Sequence, residues 1–162
     1  MTKKIDPIRP TDDEARALAR DLISGARFAA LAVLLPDGMP HVSRVALATA
    51  PDGGPVTLIS SLAVHSQALT ADPRCSLMVG EPGAKGDPLT HPRLTLQARA
   101  RFISRDSDDH GALRADYLQK RPKAALYADF ADFSFVRFEV AEALLNGGFG
   151  KAYRLTPEDL AP

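Results

Sequence analysis

The sequence predicts a single domain of mainly antiparallel β structure, a closed or partly closed barrel with helices set between its strands. Short apolar stretches of strand length, about six or seven in all, follow one another and are mostly separated by turns that contain glycine or proline. Other stretches carry helix-starting signals or apolar residues at helical spacing. A length of 162 residues suits one domain with a real core and is short for two. We therefore expect one domain over residues 1–162, with residues 1–10 as an extended arm.

The clearest predicted helix follows this arm. Thr11-Asp12-Asp13-Glu14 matches a capping box, in which Thr11 is the N-cap and Glu14 reaches back to it. Four apolar residues then recur at helical spacing: Ala15, Leu18, Ala19 and Leu22. Gly25 follows at a position where helices commonly end. The pattern therefore predicts a helix that ends near Gly25.

An antiparallel meander of three strands is predicted next, at residues 28–35, 41–49 and 56–60. The first strand is a nearly continuous apolar run. Pro36-Asp37-Gly38 and Asp52-Gly53-Gly54 are turn sequences between the strands. Strands joined by such short turns pair with their neighbours in sequence.

The second half of the chain predicts further strands and helices of similar length. Strands are expected at residues 74–79, 93–103 and 133–138, and a short last one after the glycines at 147–150. Residues 80–88 are rich in glycine and proline and are expected to form a loop. One helix is expected from residues 106–109 to near Pro122, and a shorter one over residues 123–130.

The stretch from Ile59 to Pro73 carries the densest set of polar side chains next to apolar runs, and it predicts strand, short helix, strand. Ser60 or Ser61 is expected to cap the helix, so that its first turn directs free N–H groups and the positive end of the helix dipole outward. Such a helix start is suited to an anion, above all phosphate. The alternative is a surface helix whose serines only cap it and whose His65 faces solvent.

Composition excludes several function classes. Lys+Arg and Asp+Glu are both 20, so the formal net charge is zero and no nucleic-acid or acidic-membrane partner is indicated. The single Cys75 excludes an internal disulfide and a multi-cysteine metal site. The remaining histidines, His41, His91 and His110, lack paired ligand spacing, so no metal site is expected. No signal peptide, bilayer-spanning stretch, Gly-x-Ser-x-Gly, Walker or Rossmann pattern is found, which favours a cytoplasmic protein other than a hydrolase or NTPase.

Four segments, in this order and spacing, resemble a known family. They are Pro40-His41-Val42-Ser43-Arg44-Val45-Ala46-Leu47, the stretch from Ser60 to Pro73, Pro92-Arg93-Leu94-Thr95-Leu96, and Gly147-Gly148-Phe149-Gly150-Lys151-Ala152. The chain is similar, from about Asp12 to Leu155, to the FMN-binding split-barrel family that includes pyridoxamine 5′-phosphate oxidase, and most of all to its haem-utilisation branch. The resemblance implies a six-stranded antiparallel split β-barrel with flanking helices. It also implies a homodimer that holds FMN at the subunit interface.

The resemblance also implies roles for individual residues. The strand that contains Ser43 and Val45 runs beside the flavin with its backbone facing the ring, and Arg44 reaches the phosphate or pyrimidine end. The residues expected around the phosphate are Ser60, Ser61, His65, Ser66 and Gln67. Arg93 lies near the flavin, and the glycine-rich segment around Phe149 lies near the cofactor or the interface. Without a cofactor, Arg44 and Arg93 are solvent-facing or ion-paired arginines, and the glycines serve only a bend.

Two departures from the family pattern lower the expected affinity for FMN. Val64 and His65 stand where the oxidase has an arginine and a lysine, and Gln67 stands where nearer relatives often carry arginine. Arg44, the helix dipole and hydroxyl groups then carry most of the phosphate binding, and His65 helps chiefly when it is protonated. Loose or partial occupancy by FMN is therefore expected.

The sequence thus predicts an FMN-binding protein, a small oxidoreductase acting on an unknown small substrate, with no residue nominated as catalytic. Oxidation of pyridoxamine phosphate itself is disfavoured, because Lys151-Ala152-Tyr153-Arg154 lacks the histidine of that enzyme's Arg-x-His pattern. One alternative is a haem-binding, haem-utilisation protein or a non-enzymatic flavin carrier of the same fold. The haem-utilisation relatives use an additional C-terminal region that has no evident counterpart before Pro162. Another alternative is a split-barrel interaction module whose ligand site has decayed.

Overall fold

The computed structural model describes residues 5–162, which form one nine-stranded sheet with four α-helices. The strands are β1 (Ile8–Arg9), β2 (Phe28–Leu34), β3 (Pro40–Ala46), β4 (Ala48–Thr49), β5 (Pro55–Ser60), β6 (Arg74–Val79), β7 (Arg93–Phe102), β8 (Phe133–Asn146) and β9 (Ala152–Leu155). The helices are α1 (Asp13–Gly25), α2 (Val64–Ala71), α3 (Asp108–Lys120) and α4 (Pro157–Leu160). Short 3₁₀ helices lie at Pro88–Thr90 and Pro122–Leu126. Of the predicted N-terminal arm, residues 1–4 lie outside the described residues, and β1 pairs in parallel with β9.

The sheet runs in the order β1-β9-β8-β7-β6-β2-β3, and β5 adds to β8 with β4 on its other side. Strand β8 has 14 residues, so its first part pairs with β5 and its last part with β9. Next to the short β4–β5 pairing, the edges of β3 and β5 approach each other without ladder hydrogen bonds. They are joined instead by the Thr57 hydroxyl, which donates to the Ala46 carbonyl at 2.6 Å. The antiparallel prediction is confirmed, but the sheet is not closed.

The expectation of six strands is not confirmed, because the sheet has nine. The strands that the pattern did not separate are short: β1 and β4 have two residues each. The meander prediction is correct for the hairpin of β2 and β3. Its third strand, β5, pairs with β4 and β8 rather than with β3. The ladder stops at Leu47, whose N–H donates to the Arg27 carbonyl.

Two local predictions about helix starts were wrong. Asp12, and not Thr11, caps α1, since its carboxylate accepts from the Ala15 N–H at 2.8 Å. The Thr11 hydroxyl donates to the Arg154 carbonyl instead. No side chain of residues 5–162 caps α2, and the Ser60 hydroxyl bonds within the preceding turn. The helix predicted over residues 123–130 is a 3₁₀ turn that ends at Leu126.

The core consists of two apolar clusters on the inner side of the sheet. The larger cluster packs α1 and α2 against the inward residues of β2, β6, β7 and β8, among them Leu31, Leu77 and Leu96. The smaller cluster lies under α3 and contains Tyr117 and Phe135, whose rings meet edge to face. Together they bury the inner face and leave the opposite face of β2, β3 and β6 to solvent.

That solvent-facing side, called here the outer sheet face, carries apolar side chains together with Arg44 and Ser76. Its residues stand opposite one another across the three strands: Ala30 pairs with Arg44 and Met78, and Ala32 pairs with Val42 and Ser76. Val42 is 63% exposed and Met78 47% exposed. Neighbouring exposed apolar side chains on a folded protein commonly mark a contact with a ligand or another chain.

Candidate functional site

A cleft of about 730 Å³ opens on the outer sheet face, between the end of α1, strands β2 and β3, and the loop after β6. Its floor is apolar and includes Phe28, Ala30 and Met78. Ionic side chains belong to its lining: Asp21, Arg27, Arg44 and Glu81. This combination of an apolar floor and a few convergent charges is typical of sites for small molecules and cofactors.

Arg44 lies at the cleft, where its guanidinium carbon stands 5.0 Å from the centre of the Phe28 ring. Among the described residues its guanidinium makes neither a hydrogen bond nor an ion pair. Stacking on an aromatic ring orients an arginine while leaving its N–H groups available. Arg44 is thus a cation held in place at the cleft and free to meet an anionic group.

The turn before α2 is fixed by Asp132. The Ser60 hydroxyl donates to the Asp132 carboxylate at 2.5 Å and accepts from the Leu62 N–H at 3.1 Å. The Ser61 N–H donates to the Asp132 carbonyl at 2.7 Å. These bonds set the direction in which α2 begins.

The start of α2 retains the donors that the sequence predicted, although no serine caps it. The N–H groups of Ser66 and Gln67 turn back to the Ala63 carbonyl, whereas those of Val64 and His65 have no acceptor within residues 5–162. The Ser66 hydroxyl is buried without a partner there as well. Free amides and an unpartnered hydroxyl at a helix start are suited to an anion.

His65 links α2 to β3. Its Nδ1 lies 3.0 Å from the Ser43 hydroxyl, on the inner side of β3, because Ser43 pairs with buried Leu31 and alternates with Arg44 on the outer sheet face. Burial, and to a smaller extent the neighbouring charge of His41, lowers the pKa of His65. The imidazole is therefore neutral at pH 7, so it brings no fixed positive charge to the start of α2.

The other predicted site residues are more scattered. Val45 is buried in the core, so only its backbone faces the edge of β3. The Arg93 guanidinium donates to the carbonyls of Leu89 and His91 and lines a separate cavity of about 250 Å³. Phe149 is 96% exposed at the tip of the glycine-rich turn. Gln67 is exposed on α2. The structure thus brings Ser43 and His65 together on the inner side of β3, with Ser60, Ser61 and Ser66 in and before α2. Arg44 lies on the opposite, outer side of β3, and Arg93 and Phe149 lie elsewhere.

Several residues of this region escaped the sequence interpretation. Asp132 fixes the start of α2 from a distance of about seventy residues, and no local pattern marks it. Phe28 was predicted only as the first residue of a strand, and the pairing of β2 with β3 brings it under Arg44. The cleft wall around Glu81 was expected only as a loop.

The histidines differ in their availability to a metal or cofactor. The ring of His91 uses both nitrogens in its own loop, and His110 packs edge-on against Phe135. His65 is half-buried, and its Nδ1 is engaged with the Ser43 hydroxyl. No group of three or more His, Cys, Asp or Glu side chains within residues 5–162 is arranged to hold a metal ion. In the same range, no helix is both long and apolar enough to span a bilayer.

Comparison with known proteins gives one consistent family. Residues 15–147 match the family model of pyridoxamine 5′-phosphate oxidase. The chain is 41% identical over 123 residues to the chloroplast haem oxygenase HOZ of Arabidopsis thaliana, an alignment that covers 69% of this chain and 36% of that protein. It is 30% identical over 132 residues to the haem oxygenase HutZ of Vibrio cholerae, covering 80% and 74%.

A solved structure agrees with these sequence relatives. The haem-binding protein of Mycobacterium smegmatis superposes with a TM-score of 0.82 at 32% identity, over 94% of this chain and 61% of that one. The chain thus spans about a third of the Arabidopsis protein and less than two thirds of the mycobacterial one. The match over most of the chain and the haem-related names of these relatives lead to one conclusion: the protein belongs to the pyridoxamine 5′-phosphate oxidase family, in its haem-utilisation branch.

Proposed function

We propose that this protein binds haem in the cleft and acts on it as an oxygenase. The observation that carries the proposal is the cleft itself, which combines a volume of about 730 Å³ and an apolar floor with two arginines, Arg27 and Arg44, in its lining. An apolar tetrapyrrole with two carboxylates is matched by such a surface. The two curated relatives, both named haem oxygenases, support the same choice.

The residues of the cleft suit this role chemically. Bound haem would supply the redox-active iron. Arg27 and Arg44 would bind its carboxylates by charge-assisted hydrogen bonds, and Phe28, Ala30 and Met78 would cover its apolar ring and exclude water. His65 lies on the inner side of β3, beside the Ser43 hydroxyl, and does not line the cleft.

FMN is the second candidate, because the start of α2 offers free N–H groups at Val64 and His65 and the buried Ser66 hydroxyl. The charge there is small, since His65 is neutral and Gln67 replaces a cation. A flavin phosphate is doubly charged near neutral pH and gains most from fixed guanidinium or ammonium groups. FMN would then bind more weakly than haem, and an oxidoreductase of unknown substrate becomes the alternative function.

We also propose that two copies pair through the outer sheet face. Val42 and Met78 expose apolar side chains that themselves line the cleft, so a second copy packed over this face would close the cleft above a bound ligand. The near-zero net charge gives little repulsion between copies. We place the protein in the cytoplasm, where the buried thiol of Cys75 would stay reduced.

The haem proposal is tested by titrating the purified protein with haemin and following the Soret band. Wild type is expected to saturate at one haemin per chain. Ala30→Trp fills the cleft from a half-exposed position and should abolish saturable binding. Arg27→Ala and Arg44→Ala should each weaken binding about five- to tenfold, because each removes one charged contact.

The matched control is Arg114→Ala, which removes an exposed arginine paired with Asp129 outside the cleft. It should bind haemin like wild type. Loss of Soret signal upon adding a reductant in air, with release of iron, would support oxygenase activity over storage. Equal haemin binding by wild type and Ala30→Trp would contradict the assignment of the cleft.

A further inference from the structure

The loop between β6 and β7, residues 80–92, is closed by the ring of His91. The Gly83 N–H donates to Nδ1 of His91 at 3.0 Å. Nε2 of the same ring lies 2.8 Å from the Lys85 carbonyl. A carbonyl only accepts, so Nε2 carries the hydrogen, and a backbone N–H only donates, so Nδ1 must be bare. The loop therefore selects one state of the imidazole: neutral, with its hydrogen on Nε2.

We propose that His91 is a proton-sensitive latch on the wall of the cleft. A proton taken from solvent onto Nδ1 makes both ring nitrogens donors. The Nδ1–H then faces the Gly83 N–H, so one hydrogen bond is lost and two donors oppose each other. Histidine is the side chain that ordinarily gains its charge between about pH 5 and 8. Mild acidification is therefore expected to release Gly83 and its neighbours.

The latch acts on the cleft because the loop forms part of the cleft wall. Gly80, Glu81 and Pro82 line the cleft, directly before the latched residue Gly83. Gly83 also packs tightly on the ring, since a Cβ there would lie 3.1 Å from Cε1 of His91. Release of Gly83 thus frees the segment that borders the opening.

Both ends of the loop are anchored independently of the latch. Gly80 has a φ of +97°, and a Cβ there would lie 2.5 Å from the Pro92 carbonyl oxygen, so the loop leaves β6 in a conformation that only glycine accepts. At the other end, Arg93 donates to the carbonyls of Leu89 and His91. Motion after release is expected between these anchors, over residues 81–88.

The charged groups around His91 come from the loop and from β7. They are Glu81, Lys85 and Asp87 on the loop and Arg93 at the start of β7. Asp87 accepts from the Leu89 N–H, and Arg93 points to carbonyls. Gly148 of the glycine-rich turn lies beside the Thr90 carbonyl and brings no charge. Over residues 5–162, none of these groups hydrogen-bonds to the ring, whose partners are Gly83 and Lys85.

Amide hydrogen exchange of the loop at pH 7.5 and 5.5, corrected for intrinsic exchange chemistry, tests this proposal on the protein without any ligand. In wild type, exchange of the peptide covering residues 81–90 should rise at least severalfold at pH 5.5. His91→Gln should keep protection at both pH values, because its amide oxygen and N–H reproduce the acceptor and donor without titrating. In the His91→Ala variant, the amides of residues 81–90 should exchange rapidly at both pH values.

Two controls separate a latch from a general effect of acid. His110→Gln removes a histidine on α3 and should retain the pH response of wild type. Peptides from β7 and β8 should show no change in any variant. The proposal is overturned if wild-type loop exchange is the same at both pH values, or if His91→Gln responds to pH as wild type does. Because no haem is present, this outcome is independent of the proposed function.

Discussion

His65 is the residue at which burial, hydrogen bonding and charge are most closely linked. It is half-buried, it contacts Ser43, and its lowered pKa keeps it neutral at pH 7. The sequence assigned both residues to the site, but not to each other, because no pattern shows that residues 22 positions apart will form a hydrogen bond. Arg44 was likewise assigned to the site, whereas its support by Phe28 depends on the pairing of two strands.

The lowered pKa of His65 predicts how stability depends on pH. The unfolded chain takes up a proton near the ordinary histidine value of about 6.5, whereas the folded state resists it. The free energy of unfolding should therefore fall as the pH drops below about 6.5, and His65→Gln should flatten part of that slope. Urea unfolding at pH 7.5, 6.5 and 5.5 measures this change in the free energy of unfolding. If the slopes of His65→Gln and wild type coincide while His110→Gln also has the wild-type slope, the neutral state of His65 is not important for stability.

Carboxylates do not interfere in that pH range. Hydrogen bonds from Arg74 lower the pKa of Asp72 to about 2, and the Gly54 N–H lowers that of Asp52. The stability that such groups give is present above the ordinary carboxylate value of about 4 and is lost as the pH falls through their lowered values. Their contribution therefore changes only in stronger acid.

Arg121 predicts a second effect at the scale of one residue. Its guanidinium donates to the carbonyls of Ala26 at 2.9 Å and Leu47 at 2.7 Å, and so joins the end of α1 to the break after β3. Arg121→Ala should lower the free energy of unfolding by about 1–3 kcal/mol, because partly buried carbonyls lose their donor. Arg20→Ala, which removes a bond to one exposed carbonyl, should cost clearly less in the same urea titration. Equal losses would contradict the role of Arg121 as a link.

At the scale of elements, the strand bounds predicted from the sequence are accurate where apolar and polar side chains alternate regularly. They are wrong where that alternation changes along a strand. A strand was expected at residues 133–138, and no strand was predicted over residues 139–146, where β8 continues. The register between β7 and β8 shifts at Gln97/Ala98, which leaves Ala141 as an extra residue. Inward residues are Val136 and Phe138 before this bulge and Ala143 and Leu145 after it. The extra residue at the bulge shifts the buried side chains from even-numbered to odd-numbered residues. A search for apolar residues at every second position therefore loses the strand at this point.

The start of α1 gives a prediction for an element. Asp12→Ala should lower the free energy of unfolding by about 1 kcal/mol, because the Ala15 N–H loses its acceptor. Thr11→Ala removes only the bond to the Arg154 carbonyl and should cost less. Thermal unfolding of the two variants compares them directly. A larger loss of stability for Thr11→Ala than for Asp12→Ala would contradict capping by Asp12 and support Thr11 as the N-cap.

At the scale of the whole molecule, the order of the four segments was enough to predict the family and its haem-utilisation branch. The preference between FMN and haem could not be decided from residue types, since it depends on the charge and shape of the assembled site. The neutral His65 and the apolar cleft favour haem, which the sequence had ranked second. The outer sheet face became visible only when β2, β3 and β6 were placed side by side.

Pairing through the outer sheet face predicts the mass of the protein in solution. Wild type should show twice the chain mass of 17.4 kDa by light scattering, and Val42→Glu should shift it to one chain, since a carboxylate replaces an exposed apolar contact. Leu126→Glu is the matched control: Leu126 is 79% exposed, but lies on the 3₁₀ helix after α3. A monomeric wild type, or a Val42→Glu variant that remains dimeric, would rule out this interface.

Equilibrium dialysis of the protein against haemin and FMN together compares the two ligands in one sample. We expect haemin to be retained at one per chain with micromolar or tighter affinity, about −8 kcal/mol or better, and FMN to be lost. The Ala30→Trp variant should not retain haemin, and it should retain no more FMN than wild type does. Retention of FMN in preference to haemin, by wild type and Ala30→Trp alike, would contradict haem binding in the cleft and place the ligand at the start of α2.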